Sequence, residues 1–226
     1  MSRIKSFNNV LLQRMKNHCH DNGPIIINDF KNIKTNELAV ASVKEKPKKT
    51  SAVLVPLCNY NGKASIIFTV RSSKVGTHKG QVSFPGGHAE PNEHPHDTAI
   101  REAVEELGPL LGDVDIIGEC IQIPALTGTV VTPVIGFVNH IDNINDLILS
   151  ENEVSSVFIR SIDELLSPEY KRVKPSVRFG TNWNMPVYGG DEVNCSGGER
   201  EKIWGLTAWV LESVLDNVIV PQLDEK

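Results

Sequence analysis

The stretch from Gly87 to Gly108 constrains this chain more than any other. It reads Gly87, five residues, Glu93, seven residues, then Arg101-Glu102-Ala103-Val104-Glu105-Glu106-Leu107-Gly108. The pattern predicts a loop feeding a helix. Pro95 suits a first helical turn, where its missing N–H would be unpaired anyway. Gly108 followed by Pro109 suits the stop. At about 100° per residue, Ala99, Ile100, Ala103, Val104 and Leu107 share the arc that would pack on a core. Glu102, Glu105 and Glu106 share the opposite arc, and Arg101 borders it.

An acidic helix face ordinarily points at water. Here like charges at i, i+4 repel by a few tenths of a kcal/mol, and only Arg101 lies close by to offset them. A bound divalent cation would remove the conflict, because Mg²⁺ or Mn²⁺ takes oxygen ligands and clustered carboxylates supply them. Glu102 and Glu106, one turn apart, are the expected ligands. Glu105 either completes the set or serves as base for an attacking water.

The spacing resembles the Nudix box, G-x5-E-x7-R-E-U-x-E-E-x-G-U with U apolar, in all seven fixed letters. At about 6% usage per residue type, a chance match in a chain of this length is on the order of one in a million. The last U is Pro109, a departure at the helix exit. The resemblance implies an α/β fold, the Nudix α/β/α sandwich with a mixed β-sheet, and a metal-dependent diphosphatase. It also implies that Arg101 orients a glutamate, while Gly87, Glu93 and Gly108 shape the loop and helix end.

The chain has 226 residues, 40% hydrophobic and 23% charged, with a net charge of −5. That suits one globular domain of good size and gives no global reason to bind nucleic acid. No apolar run reaches the roughly 20 residues that span a membrane. Cys19, Cys58, Cys120 and Cys195 are scattered, with no Cys-x-x-Cys pair, so reduced thiols are expected and neither a zinc framework nor disulfides.

Residues 1–20 carry Arg3, Lys5, Arg14 and Lys16 and no acid. Ile4, Phe7, Leu11 and Met15 predict an amphipathic helix, either a mitochondrial presequence or a helix that packs on the domain. Residues 31–51, with Lys44, Lys46, Lys48 and Lys49 around Pro47, read as a linker. The expected division is therefore 1–50 for N-terminal helix and linker and 51–220 for the domain. The C-terminal residues Leu223–Lys226 are not a Ser-Lys-Leu address, and a mitochondrial location is expected ahead of a peroxisomal or cytoplasmic one.

Ala52–Cys58 and Ala64–Val70 read as strands joined by the hairpin signal Asn61-Gly62. Asp115–Ile123 and Val130–Val138 read as two more, with Pro133 marking a bulge or an edge. Glu153–Ile159 is another, followed by a short helix at Ile162–Leu166. Residues 168–202 read as loop-rich. Trp183 and Tyr188 lie there, expected in the core rather than stacked on a base.

A second motif lies just upstream of the box. Phe68-Thr69-Val70-Arg71-Ser72-Ser73-Lys74, then His78-Lys79-Gly80-Gln81-Val82-Ser83-Phe84-Pro85-Gly86-Gly87, resembles the signature of the coenzyme A diphosphatases. Gly76 departs from it, since many members carry arginine there. Ile203-Trp204-Gly205-Leu206-Thr207-Ala208 resembles their last-helix opening. Arg71, His78 and Lys79 offer donors to phosphates, and Gly80, Gly86 and Gly87 let backbone approach an anion. Members commonly have an acid–Val pair at the position of Glu153, a further candidate ligand to metal or water. The resemblance implies coenzyme A or its esters as substrate and a monomer or homodimer. A different nucleoside diphosphate-linked substrate, or a non-catalytic nucleotide-binding regulator, are the alternative readings.

Overall fold

The computed structural model describes residues 4–26, 49–125, 128–139, 141, 143–178, 181–190 and 201–223, with the backbone alone for 176–178 and 181–183. A mixed sheet lies between helices. Strand β1 (Lys49–Tyr60) turns through Asn61 and Gly62 into β2 (Lys63–Arg71). Both turn residues have positive φ, 49° and 70°, the primed hairpin turn that Asn-Gly favours. Short strands β3 (Val82–Ser83) and β4 (Gly86–His88) follow, then helix α2 (Pro95–Leu107), numbered after the N-terminal helix α1 (Asn9–Asn22). Next come β5 (Val114–Glu119), β6 (Ile123–Pro124), β7 (Thr129–Val138), β8 (Val154–Ser161) and the one-turn helix α3 (Ile162–Leu165).

The sheet runs β3-β2-β1-β7-β5, with β4 on β1, β6 on β7 and β8 on β2. β1 and β7 are parallel, and the other pairs are antiparallel. The predicted α/β sandwich with a mixed sheet is what the chain forms. Alternation along β1 explains it. Ala52 and Leu54 pack with Ala99, Ala103 and Leu107 of α2, while Val55 and Leu57 pack with α1 and the C-terminal helix. A strand covered on both faces reads as a nearly continuous apolar run.

Several boundaries differ from the sequence reading. β1 begins at Lys49, so the end of the expected linker is strand; its residues 31–48 lie outside the described residues, as does Cys195. Pro133 sits in a central strand, not at an edge or bulge, between β1 and the β5–β6 side. Its carbonyl accepts from the Cys120 N–H at 2.8 Å, where the ladder breaks between β5 and β6. A strand residue's N and C=O face the same neighbour, so the missing N–H falls at that break. The bulge belongs instead to β5, between Ile116 and Gly118.

Residues 168–202 contain a hairpin of β9 (Lys171–Arg178) and β10 (Thr181–Tyr188). Its many charges and two prolines hid the strand period. Tyr188 is fully buried in the core, as expected; the side chain of Trp183 lies outside the described residues. Helix α4 (Gly205–Val214) closes the chain through a π turn at Leu215–Ile219. At the other end, α1 is packed on the domain. Leu12, Met15 and Cys19 are its buried stripe, and Ile4 and Phe7, expected within the helix, precede it in the same core. Asn59 clamps the Phe7 backbone, accepting from its N–H at 2.7 Å and donating to its carbonyl at 2.8 Å.

Candidate active site

The site is built where β4 lies against β1 and α2 crosses below. Ala52 faces Gly87 and Val53 faces Gly86. A Cβ on Gly86 would come within 2.3 Å of the Ala52 carbonyl oxygen, and one on Gly87 within 2.3 Å of Glu102 Oε2. At Gly86 the obstacle is backbone, so a side chain must be absent; at Gly87 it is the movable end of Glu102, which a side chain would displace. Pro95 stands in the first turn of α2 and Gly108 at its end, as expected.

Glu93 and Arg101 anchor the loop to the helix. Arg101 Nε donates to Glu93 Oε1 at 2.8 Å and Nη2 to Oε2 at 3.0 Å, a two-point pair of the strong kind. Glu93 Oε2 also accepts from the Glu90 N–H and the Thr98 hydroxyl, 2.9 and 2.8 Å. Hydrogen bonding to Arg101, before all other causes, holds the Glu93 carboxyl down at about 2. The same guanidinium reaches on. Nη1 donates to Glu102 Oε1 at 3.0 Å and Glu105 Oε1 at 3.2 Å, and Nη2 to the His88 carbonyl at 2.9 Å.

The three box glutamates do not share one environment. Glu106 is only 4% exposed, while the Glu105 side chain is 54% exposed. The apolar arc is rotated from the expected one: Thr98 and Glu106 join Ala99, Ala103 and Leu107 in facing the sheet, and Ile100 and Val104 are half-exposed. Burial pushes the Glu106 carboxyl up to about 8, opposed by Arg71 and assisted by Glu153 and Glu102. The Gly86 N–H bonds to this carboxyl, yet its Oε2 has no hydrogen-bond partner. Glu102 is also raised, by burial first and with contributions from Glu105 and Glu153.

Glu153 thus acts electrostatically on both Glu102 and Glu106. Its carbonyl accepts from the Ser72 N–H at 2.8 Å, and the segment before it caps α2 through Ser150 N–H to the Glu106 carbonyl at 2.9 Å. As the side chains stand, no three acidic, imidazole or thiol groups among the described residues form a metal cage. Arg101 occupies oxygens of both Glu102 and Glu105. The donor set nevertheless fits a hard divalent cation: oxygen ligands only, one of them a buried carboxylate oxygen lacking a partner.

A cleft of about 810 Å³ adjoins this region through the glycine loop; none of the box carboxylates lines it. Arg71, His78, Gly86 and Gly87 line it; Lys79 does not. Arg71 Nε is buried without a partner, and His78 Nδ1 lies 2.9 Å from Gln81 Oε1. The remaining lining is largely apolar and includes Trp204, Leu206 and Ile123. Trp204 is a site candidate the residue-by-residue reading passed over. Its only sequence signal is the Trp-Gly-Leu-Thr-Ala segment, which marks family likeness and does not place the residue on a wall of the cleft.

This fold, with a glycine loop feeding a carboxylate-bearing helix at a cleft, defines a diphosphate-cleaving hydrolase of the Nudix type. The model of the NUDIX domain matches residues 48–178, and the chain belongs to that family. Among curated relatives, it is 31% identical to Nudix hydrolase 3 of Caenorhabditis elegans over 73% of this chain and 71% of that one. It is 33% identical to the mitochondrial coenzyme A diphosphatase NUDT8 of Homo sapiens over 78% and 72%. It is 34% identical to the peroxisomal coenzyme A diphosphatase NUDT7 of Mus musculus over 61% and 57%. The protein is accordingly a pyrophosphohydrolase acting on diphosphate bonds, and Nudix hydrolases generally need a divalent metal. Among the described residues, no helix is long and apolar enough to cross a membrane.

Proposed function

We propose that this hydrolase cleaves the diphosphate of coenzyme A and its acyl thioesters, giving 3′,5′-ADP and (acyl-)4′-phosphopantetheine. One observation carries the reading. Two segments distant in sequence, Arg71–Gly87 and Trp204–Thr207, each resemble the coenzyme A diphosphatases and both line one cleft beside the box helix.

Glu102, Glu106 and Glu105 would hold Mg²⁺ or Mn²⁺, whose charge offsets that of the diphosphate and makes water more acidic. Glu105, the exposed carboxylate, accepts the proton of the attacking water. The water oxygen forms the new bond to phosphorus, and the bridging oxygen leaves with the bonding pair on the departing phosphate. Arg101 acts at one remove, holding Glu102 and Glu105 from its anchor on Glu93. Arg71 and His78 donate to the phosphates, and Gly86 and Gly87 give them a close backbone approach. Lys79, outside the cleft lining, adds positive charge at its approach. The likeness to the mitochondrial coenzyme A diphosphatase of Homo sapiens supports a mitochondrial location.

The test is direct. The full chain is incubated with coenzyme A and Mg²⁺ or Mn²⁺ beside Glu105→Gln, and products are separated chromatographically. Release of 3′,5′-ADP by wild type, cut at least tenfold in the variant, supports the reading. No release, with turnover of another nucleoside diphosphate derivative, overturns the substrate.

A further inference from the structure

We propose that Trp204 stacks on the purine ring of the substrate's nucleotide half and is the residue by which the cleft selects a nucleoside diphosphate derivative. The inference rests on the diphosphatase reading of the same site. A large indole left 39% exposed forgoes burial that the core gives Trp209, 3% exposed and five residues on. Among the described residues its ring pairs with no other ring. What it does face is the cleft.

The backbone that carries the ring is also fixed in place. Ile203 exchanges both backbone hydrogen bonds with Tyr188, each 2.9 Å. Gly205, at φ 66°, turns the chain into α4, where any side chain would be strained. Thr207 Oγ1 then donates to the Val82 carbonyl at 3.2 Å, tying the start of α4 to the strand that leads into the glycine loop. Trp204 is therefore held in register with Gly86 and Gly87, the backbone expected to meet the diphosphate. A preplaced indole has two side-chain torsions to freeze and offers a flat face. A planar base uses that face fully, whereas a flexible acyl or pantetheine chain is served equally by Leu206, Ile123 and Pro124. Stacking of a base on an aromatic side chain is sequence-tolerant and contributes enough to shift affinity by about tenfold or more.

The experiment uses the full chain as wild type, Trp204→Leu and Trp204→Phe. Coenzyme A is the substrate, and 3′,5′-ADP and 4′-phosphopantetheine are competing product ligands. Trp204→Leu should raise KM for coenzyme A and Ki for 3′,5′-ADP about tenfold, with the loss falling on KM more than on kcat. Trp204→Phe should recover most of it. An unchanged Ki for 3′,5′-ADP overturns the inference. So does a rise confined to 4′-phosphopantetheine, or a changed preference among acyl chain lengths, either of which puts the indole on the other half of the substrate. If wild type leaves coenzyme A intact, the coenzyme A reading fails by itself. Binding of 3′,5′-ADP, read by quenching of indole fluorescence in wild type and its loss in Trp204→Leu, then decides the stacking separately.

Discussion

The backbone of Gly87 lies so close to the carboxylate of Glu102 that a methyl group on Gly87 would sit 2.3 Å from Oε2. The obstacle is the far end of a flexible side chain, and Gly87 does not have positive φ. Gly87→Ala is therefore expected to fold, with a melting temperature within a few degrees of wild type, while displacing Glu102. Displacement of about 1 Å at a reacting centre can cost a hundredfold in rate, so turnover should fall by about tenfold to a hundredfold. Paired thermal melts and initial rates check this; a fully active variant would show that Glu102 need not stand where it does.

Arg101→Lys separates charge from geometry. A lysine keeps the positive charge but cannot grip Glu93 at two points while also reaching Glu102, Glu105 and the His88 carbonyl. Turnover should drop more than tenfold, with a smaller change in KM. Turnover within twofold of wild type would show that charge alone suffices.

Glu106 sets a pH dependence. Burial raises its carboxyl to about 8, whereas a carboxyl in an unfolded chain titrates at about 4.3. Between those values the folded chain holds a proton the unfolded chain has released. The metal-free protein therefore loses stability as pH rises through that window, and is most favoured by this group below it. Glu106→Gln keeps the shape and removes the titration. Without metal at pH 8 it should melt higher than wild type, yet gain nothing from added Mg²⁺, which should raise the wild-type melting temperature. A variant less stable than wild type under those conditions would contradict this account.

Met15→Ala tests the N-terminal helix. Met15 is fully buried between α1 and the domain, and such truncations cost about 2–5 kcal/mol. The denaturant midpoint should fall accordingly, with turnover per folded molecule retained. No shift would mean that α1 docks without contributing to stability.

The box makes helix α2 legible because its letters are tied to a spacing and its caps are local. Pro95 and Gly108 mark the ends of α2 through backbone chemistry that neighbouring structure does not alter. The orientation of that helix was less legible. A helical wheel places Glu106 with Glu102 and Glu105, but the sheet also takes Glu106, because Gly86 offers it an N–H and β4 passes overhead. Pro133 misled for a similar reason: its tolerance comes from a gap in a partner strand that its own sequence does not encode. The hairpin of β9 and β10 is hidden because the basic residues of β9 and a proline in each strand read as solvated loop. Trp204 needed the tertiary fold, since nothing near it in sequence says which surface it borders.

The parallel pairing of β1 with β7 has a kinetic side. The glycine loop and α2, which carry the box residues, lie in the chain between those two strands. Helices and the Asn61-Gly62 hairpin can form locally and early, but the parallel pair must close a long loop before its contacts repay the lost entropy. β4 and α2, which carry Gly86 and Glu106, both pack on β1 of that pair. Assembly of the carboxylate centre should thus be a late event, inseparable from completion of the sheet. Peptides carrying the box alone would hold the letters of the motif without its chemistry.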